Sequence, residues 1–288
     1  MKNILVTGAK GQLGQALKTV AAPYSQYNFI YAGTQDLDIT NAEVLANYFG
    51  LQHIDACINC AAYTAVDNAE TDEDAAFLLN FQAVLNLSEI CQQHGTQLIH
   101  ISTDYVFDGK QNRPYSEEDE PNPQSIYGSS KLRGEASALG YNPDTIVIRT
   151  SWLYSNTGVN FLKRMQELMK EKSSLNVVFD QTGTPTYAND LAQVILDILT
   201  HKFEHAGTIA GGVYHYSNEG VASWYDFAIA IKAITGTACE VLPVTSDQYP
   251  TAAQRPAYSV LNKQKIKDTF QVKIPYWKDS LAACIASI

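Results

Sequence analysis

Short apolar runs alternate with longer amphipathic stretches through the first half of the chain. Runs rich in aliphatic and β-branched residues predict strands at Asn3 to Thr7, Phe29 to Ala32, Ala56 to Cys60, Leu98 to Ser102 and Thr145 to Arg149. Stretches with helical periodicity lie between them, at Gln12 to Val20, Ala42 to Phe49, Asp74 to His94 and Tyr127 to Leu139. Strands fed by crossover helices in this rhythm predict a parallel sheet covered on both faces. Asp108 to Gln124, rich in Pro, Asp, Glu and Asn, reads as a surface loop. Beyond Arg149 the rhythm loosens. Val177 to Phe179 reads as a strand, Asp190 to Leu199 as a helix returning to the sheet, and Ser223 to Thr235 as a helix of a smaller second lobe.

Composition narrows the partners. With 288 residues, 45% hydrophobic and 17% charged, the chain has the make-up of a soluble globular protein with a large core. Twenty basic against thirty acidic residues leave a net charge of -10, which argues against a nucleic-acid backbone as ligand. No stretch approaches the roughly 20 apolar residues that span a bilayer, and the N-terminal apolar run is too short for a signal peptide. The expectation is a cytoplasmic protein with no membrane partner. Five scattered cysteines make no disulfide framework, and Cys57 and Cys60, although spaced C-x-x-C, lie in an apolar run and read as packed residues.

Thr7-Gly8-Ala-Lys10-Gly11-Gln12-Leu13-Gly14 follows the first predicted strand and opens a helix. Glycines there let the backbone approach a pyrophosphate whose charge sits at the helix N-terminus. Gly8, Lys10, Gly11, Gln12, Leu13 and Gly14 are therefore candidate cofactor residues. Ala32-Gly33-Thr34-Gln35, after the second strand, lacks the acid that would hold a ribose 2′-hydroxyl. Lys10 is placed to pair with a 2′-phosphate or to be an exposed turn lysine. The cofactor expected is NADPH, with NADH possible. Tyr127 and Lys131 stand four residues apart on the helix after the acidic loop, on one face, where an ammonium would favour the phenolate and ease proton transfer.

The G-x-x-G-x-x-G turn together with Tyr127-x-x-x-Lys131 resembles the extended, nucleotide-sugar-modifying branch of the short-chain dehydrogenase/reductase superfamily. The resemblance implies an α/β fold: a Rossmann-type doubly wound parallel sheet with a smaller C-terminal α/β substrate-binding lobe. Residues 1–150, plus the returning segment around 175–200, would form the dinucleotide-binding domain, and the remainder of 151–288 the sugar-nucleotide lobe. Dehydratases of this branch resemble Thr-Asp-Glu where this chain has Thr103-Asp104-Tyr105, so loss of water is disfavoured and ketone reduction favoured.

Ser102-Thr103-Asp104-Tyr105-Val106-Phe107-Asp108-Gly109 resembles the dTDP-4-dehydrorhamnose reductase family more narrowly. So do the run from Asn59 to Glu70, Leu37-Asp38-Ile39-Thr40, Arg149-Thr-Ser-Trp152, Gly183-Thr-Pro185-Thr186 and Arg255-Pro256 with Ser259 and Leu261. The resemblance implies Thr103, Tyr127 and Lys131 as catalytic residues. It implies Asp38, Ile39, Ala61, Ala62, Tyr63 and Thr64 as further cofactor contacts, and Val66, Asp67, Thr103, Asp104, Tyr105, Trp152 and Arg255 on the substrate side. Asp67 and Glu70 read equally as a solvated helix start, and Asn80 as a holder of water near Lys131 or a satisfied buried amide. Arg255 reads as a pyrophosphate clamp or an ion-pair partner.

Some members of that family bridge dimers through magnesium on glutamates; Ala16 and Asn189 stand at those positions here. No metal is expected, and the chain is expected to be a monomer or weak homodimer. The implied reaction is NADPH-dependent reduction of the C4 ketone of dTDP-4-dehydro-L-rhamnose, a small-molecule sugar nucleotide. Two alternatives are reduction of another dTDP-4-keto-6-deoxyhexose, and a non-catalytic NADP-binding regulatory subunit like that of a eukaryotic methionine adenosyltransferase. Intact Thr103, Tyr127 and Lys131 argue against the last.

Overall fold

The computed structural model describes residues 1–205 and 211–288. Through the first half, strands and helices alternate as β1 (Lys2–Thr7), α1 (Gln12–Val20), β2 (Tyr27–Ala32), α2 (Ala42–Leu51) and β3 (Ala56–Asn59). Short helices α3 (Val66–Ala69) and α4 (Glu73–Phe77) lead through a π turn (Leu78–Gln82) into α5 (Ala83–His94). Then come β4 (Gln97–Thr103), a 3-10 turn (Asp104–Val106), α6 (Ile126–Tyr141) and β5 (Ile146–Thr150). The second half holds β6 (Leu153–Tyr154), α7 (Phe161–Glu171), β7 (Ser174–Val178), β8 (Thr182–Gly183), β9 (Thr186–Tyr187), α8 (Ala188–Glu204) and β10 (Gly212–His215). It ends with β11 (Ala222–Ser223), α9 (Trp224–Thr235), β12 (Glu240–Val244), α10 (Gln264–Phe270) and α11 (Trp277–Ala286).

Six strands of the described residues form one parallel sheet in the order β10-β5-β4-β3-β1-β2. Alternate residues of each strand face opposite layers, as a period of two requires. Ile4 and Val6 pack with Leu13, Leu17, Leu191 and Ile195 of α1 and α8, whereas Leu5 packs with Leu45, Phe49 and Leu87 of α2 and α5. Burying each such aliphatic side chain contributes about 1.5–3 kcal/mol. Cys57 belongs to one layer and Cys60 to the other, and both are free thiols, so the C-x-x-C spacing brings no pair together. Among the described residues no helix is long and apolar enough to cross a membrane.

Three features differ from the sequence-based outline. The sixth strand, Gly212–His215, was not anticipated, because four residues are too few to show a period. The segment around 175–200 divides: β7 pairs with β12 outside the main sheet, while α8 packs against α1. The helix expected from Asp74 to His94 is interrupted by the π turn, which pushes the Asn80 carbonyl towards α6. A Cβ at Gly134 would lie 2.1 Å from that oxygen, so glycine is what lets the two helices approach. A separate apolar cluster, with Tyr154, Leu162, Phe227, Ile231, Trp277 and Leu281, holds the second half together.

Candidate active site

The reversal of strand order falls between β1 and β3, so the loops leaving their C-terminal ends line a common crevice. Gly8 has φ +64°, and a Cβ on it would come within 2.5 Å of the Ala61 nitrogen; at Gly14 a Cβ would meet backbone at 2.6 Å. These two glycines clamp the turn against the sheet and helix. Gly11, by contrast, would meet only the Gly8 carbonyl, at 3.3 Å, and leaves open room above the turn. No side chain caps the N-terminus of α1, so its first N–H groups are left for an anion. The turn fits a dinucleotide pyrophosphate. Leu13 is buried in the core and offers the site only its backbone, while Gln12 Oε1 accepts from Ser155 Oγ at 3.1 Å and Asn160 Nδ2 at 3.0 Å.

Lys10 reaches the end of β2: its side chain passes beside Gly33, 3.2 Å from where a Cβ would stand. Asp36, one residue beyond the stretch noted for lacking an acid, folds back and accepts from the Gly33 N–H at 2.8 Å. The Asp38 carboxylate accepts from Thr40 N–H and hydroxyl, and Ile39 is a core residue, so neither side chain stands free in the crevice. Ala61, Ala62, Tyr63 and Thr64 follow β3 opposite the glycine turn, Tyr63 being pinned through its backbone. Asn80 Oδ1 accepts from Tyr63 N–H at 2.8 Å, and Asn80 Nδ2 donates to the Tyr63 carbonyl and to Ser130 Oγ, both at 3.0 Å. Asn80 is a satisfied amide that holds this loop.

The helix bearing Tyr127 and Lys131 starts where Ser125 caps Gly128 N–H at 3.1 Å and Glu70 accepts from Ile126 N–H at 2.9 Å. Glu70 is thus tied to the start of α6. A Cβ on Gly128 would lie 2.3 Å from the Tyr105 carbonyl, which shows how tightly this turn meets the 3-10 turn. Thr103 ends β4, accepting from Tyr105 N–H at 3.2 Å and donating to Asp104 Oδ1 at 3.1 Å. Tyr105 meets Tyr127 edge-on, with ring centres 5.6 Å apart.

The expected coupling of Lys131 to Tyr127 needs correcting. Burial pushes the Tyr127 phenol above its ordinary value; the Thr103 hydroxyl pulls the other way, and Asp104 and Tyr105 add to the rise. The ammonium turns instead into the protein, donating to the Ile101 carbonyl at 2.6 Å and meeting His100 Nε2 at 3.4 Å. Burial lowers Lys131 to about 8, with Glu135 opposing. Asp104 is raised to about 6 by burial, against hydrogen bonds from Ser259 and Thr103. A phenol held protonated beside the Thr103 hydroxyl is equipped to give a proton to a carbonyl oxygen.

On the outer side, Val66 opens α3 and Asp67 reaches across to the second half. Asp67 accepts from Ala253 N–H at 3.1 Å and from Arg255 Nη2 at 2.8 Å, while Arg255 Nη1 donates to Tyr105 Oη at 3.2 Å. Arg255 is therefore the ion-pair partner of Asp67 and stands one ring away from Tyr127. Trp152 adopts φ +48°, a left-handed backbone that costs a bulky residue of order 1–3 kcal/mol. Its ring stacks on Trp224 at 3.6 Å, and Gly183 leaves it room, since a Cβ there would come within 2.7 Å of the indole. Trp224 and His100 were not singled out in the sequence. The one signal for Trp224 was the Ser223-x-x-Asp226 capping box that starts α9; His100 showed only as a polar residue in an apolar strand. Among the described residues no group of three or more His, Cys, Asp and Glu side chains stands close enough to hold a metal.

The model of the family described as RmlD substrate binding domain matches residues 1–288. A dTDP-4-dehydrorhamnose reductase of Aggregatibacter actinomycetemcomitans is 39% identical over 287 residues, 98% of this chain and 97% of that one. The crystal structure of a dTDP-4-dehydrorhamnose reductase from Clostridium acetobutylicum superposes with a TM-score of 0.93 at 40% identity, covering 99% of each chain. That of a dTDP-4-dehydrorhamnose reductase from Bacillus anthracis in complex with NADP gives 0.92 at 36% identity and covers 100% of both.

Proposed function

The chain belongs to the RmlD substrate binding domain family, and from that premise we propose that it is a reductase that uses NADPH to convert the C4 ketone of dTDP-4-dehydro-L-rhamnose to the alcohol of dTDP-L-rhamnose. NADPH, when bound, supplies the hydride. Gly8, Gly11 and Gly14 with the open N-terminus of α1 would hold its pyrophosphate, Lys10 its 2′-phosphate, and the loop Ala61 to Thr64 its nicotinamide side. Lys131 would hold the nicotinamide ribose. Tyr127 gives its proton to the C4 oxygen as negative charge develops there, and Thr103 donates a hydrogen bond that orients the same oxygen. Trp152, backed by Trp224, offers an apolar face to the deoxysugar, and Arg255 with Asp67 borders the nucleotide side. Residues 1–150 with α8 and β10 act as the cofactor-binding unit and the remainder of 151–288 as the sugar-nucleotide lobe. The protein works in the cytosol as a monomer or weak homodimer.

The observation that carries this reading is the meeting of Thr103, Tyr105 and Tyr127 at the C-terminal end of β4, in the same parallel sheet whose β1 leads into the glycine turn, with Tyr105 where a dehydratase would need a carboxylate. The test is loss of NADPH absorbance on adding the 4-keto sugar nucleotide, with the C4 configuration of the product assigned by NMR. Absorbance that stays constant with every dTDP-4-keto-6-deoxyhexose tried would sink the catalytic reading in favour of a binding subunit.

A further inference from the structure

Asn59 and His100, which the reaction as described does not use, form a buried chain with Lys131 across β3, β4 and α6. Asn59 Oδ1 accepts from the Ala61 N–H at 3.2 Å and from Thr7 Oγ1 at 2.7 Å, which settles the direction of the amide. Its Nδ2 is therefore the atom 3.1 Å from His100 Nδ1. An amide nitrogen only donates, so Nδ1 holds the lone pair and the proton of the neutral ring sits on Nε2. His100 is fully buried, and burial with the charge of Lys131 holds its pKa well below the ordinary imidazole value, so the ring stays neutral. Nε2 lies 3.4 Å from Lys131 Nζ. A donor thus faces the ammonium, which has three N–H groups and no lone pair, whereas a neutral amine would accept from it.

The geometry points to His100 as a positioning residue for the reduction: held by Asn59 with its N–H towards Lys131, it makes that ammonium readier to release its proton and directs its hydrogen bonds to Ile101 and the cofactor side. Other ionisable groups near Lys131 are accounted for. On α6, Glu135 is taken by Arg149 of β5 and Ser102 of β4, and Tyr127 lies one turn away. From the 3-10 turn, Asp104 and Tyr105 bear on Tyr127, and the π turn contributes the neutral Asn80 through Ser130. His100 is faced by Asn59 from β3 and Lys131 from α6. The inference rests on the proposed place of Lys131 at the nicotinamide ribose, yet its readouts need no sugar nucleotide, so failure of the proposed substrate leaves them intact.

The test is 15N NMR of the imidazoles in the intact protein, with His100 assigned by loss of its signal in His100→Gln. A neutral Nε2–H tautomer is expected, and an Nδ1–H tautomer overturns the proposal. In parallel, 13Cε-labelled lysine follows the titration of Lys131. His100→Leu, which removes the N–H without opening space for water, should raise the midpoint by about one pH unit, a tenfold change in proton affinity. His100→Gln, whose amide N–H reaches the position of Nε2, should leave it in place. A midpoint unmoved in folded His100→Leu also overturns the proposal; if that variant does not fold, the wild-type tautomer decides.

Discussion

Tyr127, Lys131 and Glu135 follow one another at four-residue spacing on one face of α6, yet the two ends of that face are built to opposite standards. Glu135 and Lys131 are equally buried, each 2% exposed. Both oxygens of Glu135 are used: Oε1 accepts from Ser102 Oγ at 2.5 Å and Arg149 Nε at 3.0 Å, and Oε2 from Arg149 Nη2 at 2.7 Å. Lys131 has one carbonyl and a ring N–H facing it, with no carboxylate in contact. The buried charge matched in full is framework, joining α6 to β4 and β5. The one left under-satisfied is available to a ligand, and the protein bears its desolvation until that ligand arrives.

The contrast is open to direct attack. Tyr127→Phe should lower turnover by roughly two to four orders of magnitude, the scale of a general acid, while leaving NADPH affinity within about twofold. Steady-state kinetics with fluorescence titration of the cofactor measures both, and near-normal turnover removes Tyr127 from the chemistry. Glu135→Gln should act on the fold instead, costing about 3–5 kcal/mol because the Arg149 guanidinium is left buried without its counter-charge. Urea denaturation reads this, and a loss below about 1 kcal/mol would erase the distinction between the two ends of the face.

Lys131→Met probes the smallest effect. The unfolded lysine titrates near 10.5 and the folded one at about 8, so between those values the unfolded chain binds more protons and stability rises with pH. The penalty is fully present below about 8 and is on the order of 3 kcal/mol at most. Wild-type protein should therefore gain stability from neutral pH to above the upper value, and Lys131→Met should lack that gain. Parallel denaturation curves for the two proteins that keep a constant separation would show that Lys131 is not held under strain.

Much of this was legible along the chain. The α1 helix occupies the residues its periodicity indicated, and the central strands shift by only a residue or two at their ends, because period-two and period-3.6 patterns are local. Tyr127, Lys131 and the glycine turn were found through spacing, which a helix or a turn converts directly into geometry, and Thr103 through the family resemblance of the run around it. Other features left little mark. The π turn follows from the fit of Asn80 against Gly134, and β10 is too short to show a pattern. Trp224 enters the site through a stack on Trp152, more than seventy positions away. Asp67 and Glu70 looked alike in sequence, yet one holds Arg255 and the other the first turn of α6.

The sequence by itself determined which groups exist and which of them share a turn: a phenol and an ammonium on one helical face, and glycines where a phosphate must come close. Tertiary structure alone decided which way the ammonium points. Asn59, His100 and Lys131 belong to three elements, and the direction of one amide, set by the Ala61 N–H, determines which imidazole nitrogen carries the proton that Lys131 meets. Spacing encodes neighbours within an element; hydrogen-bond direction and burial depend on partners that only the folded sheet brings together.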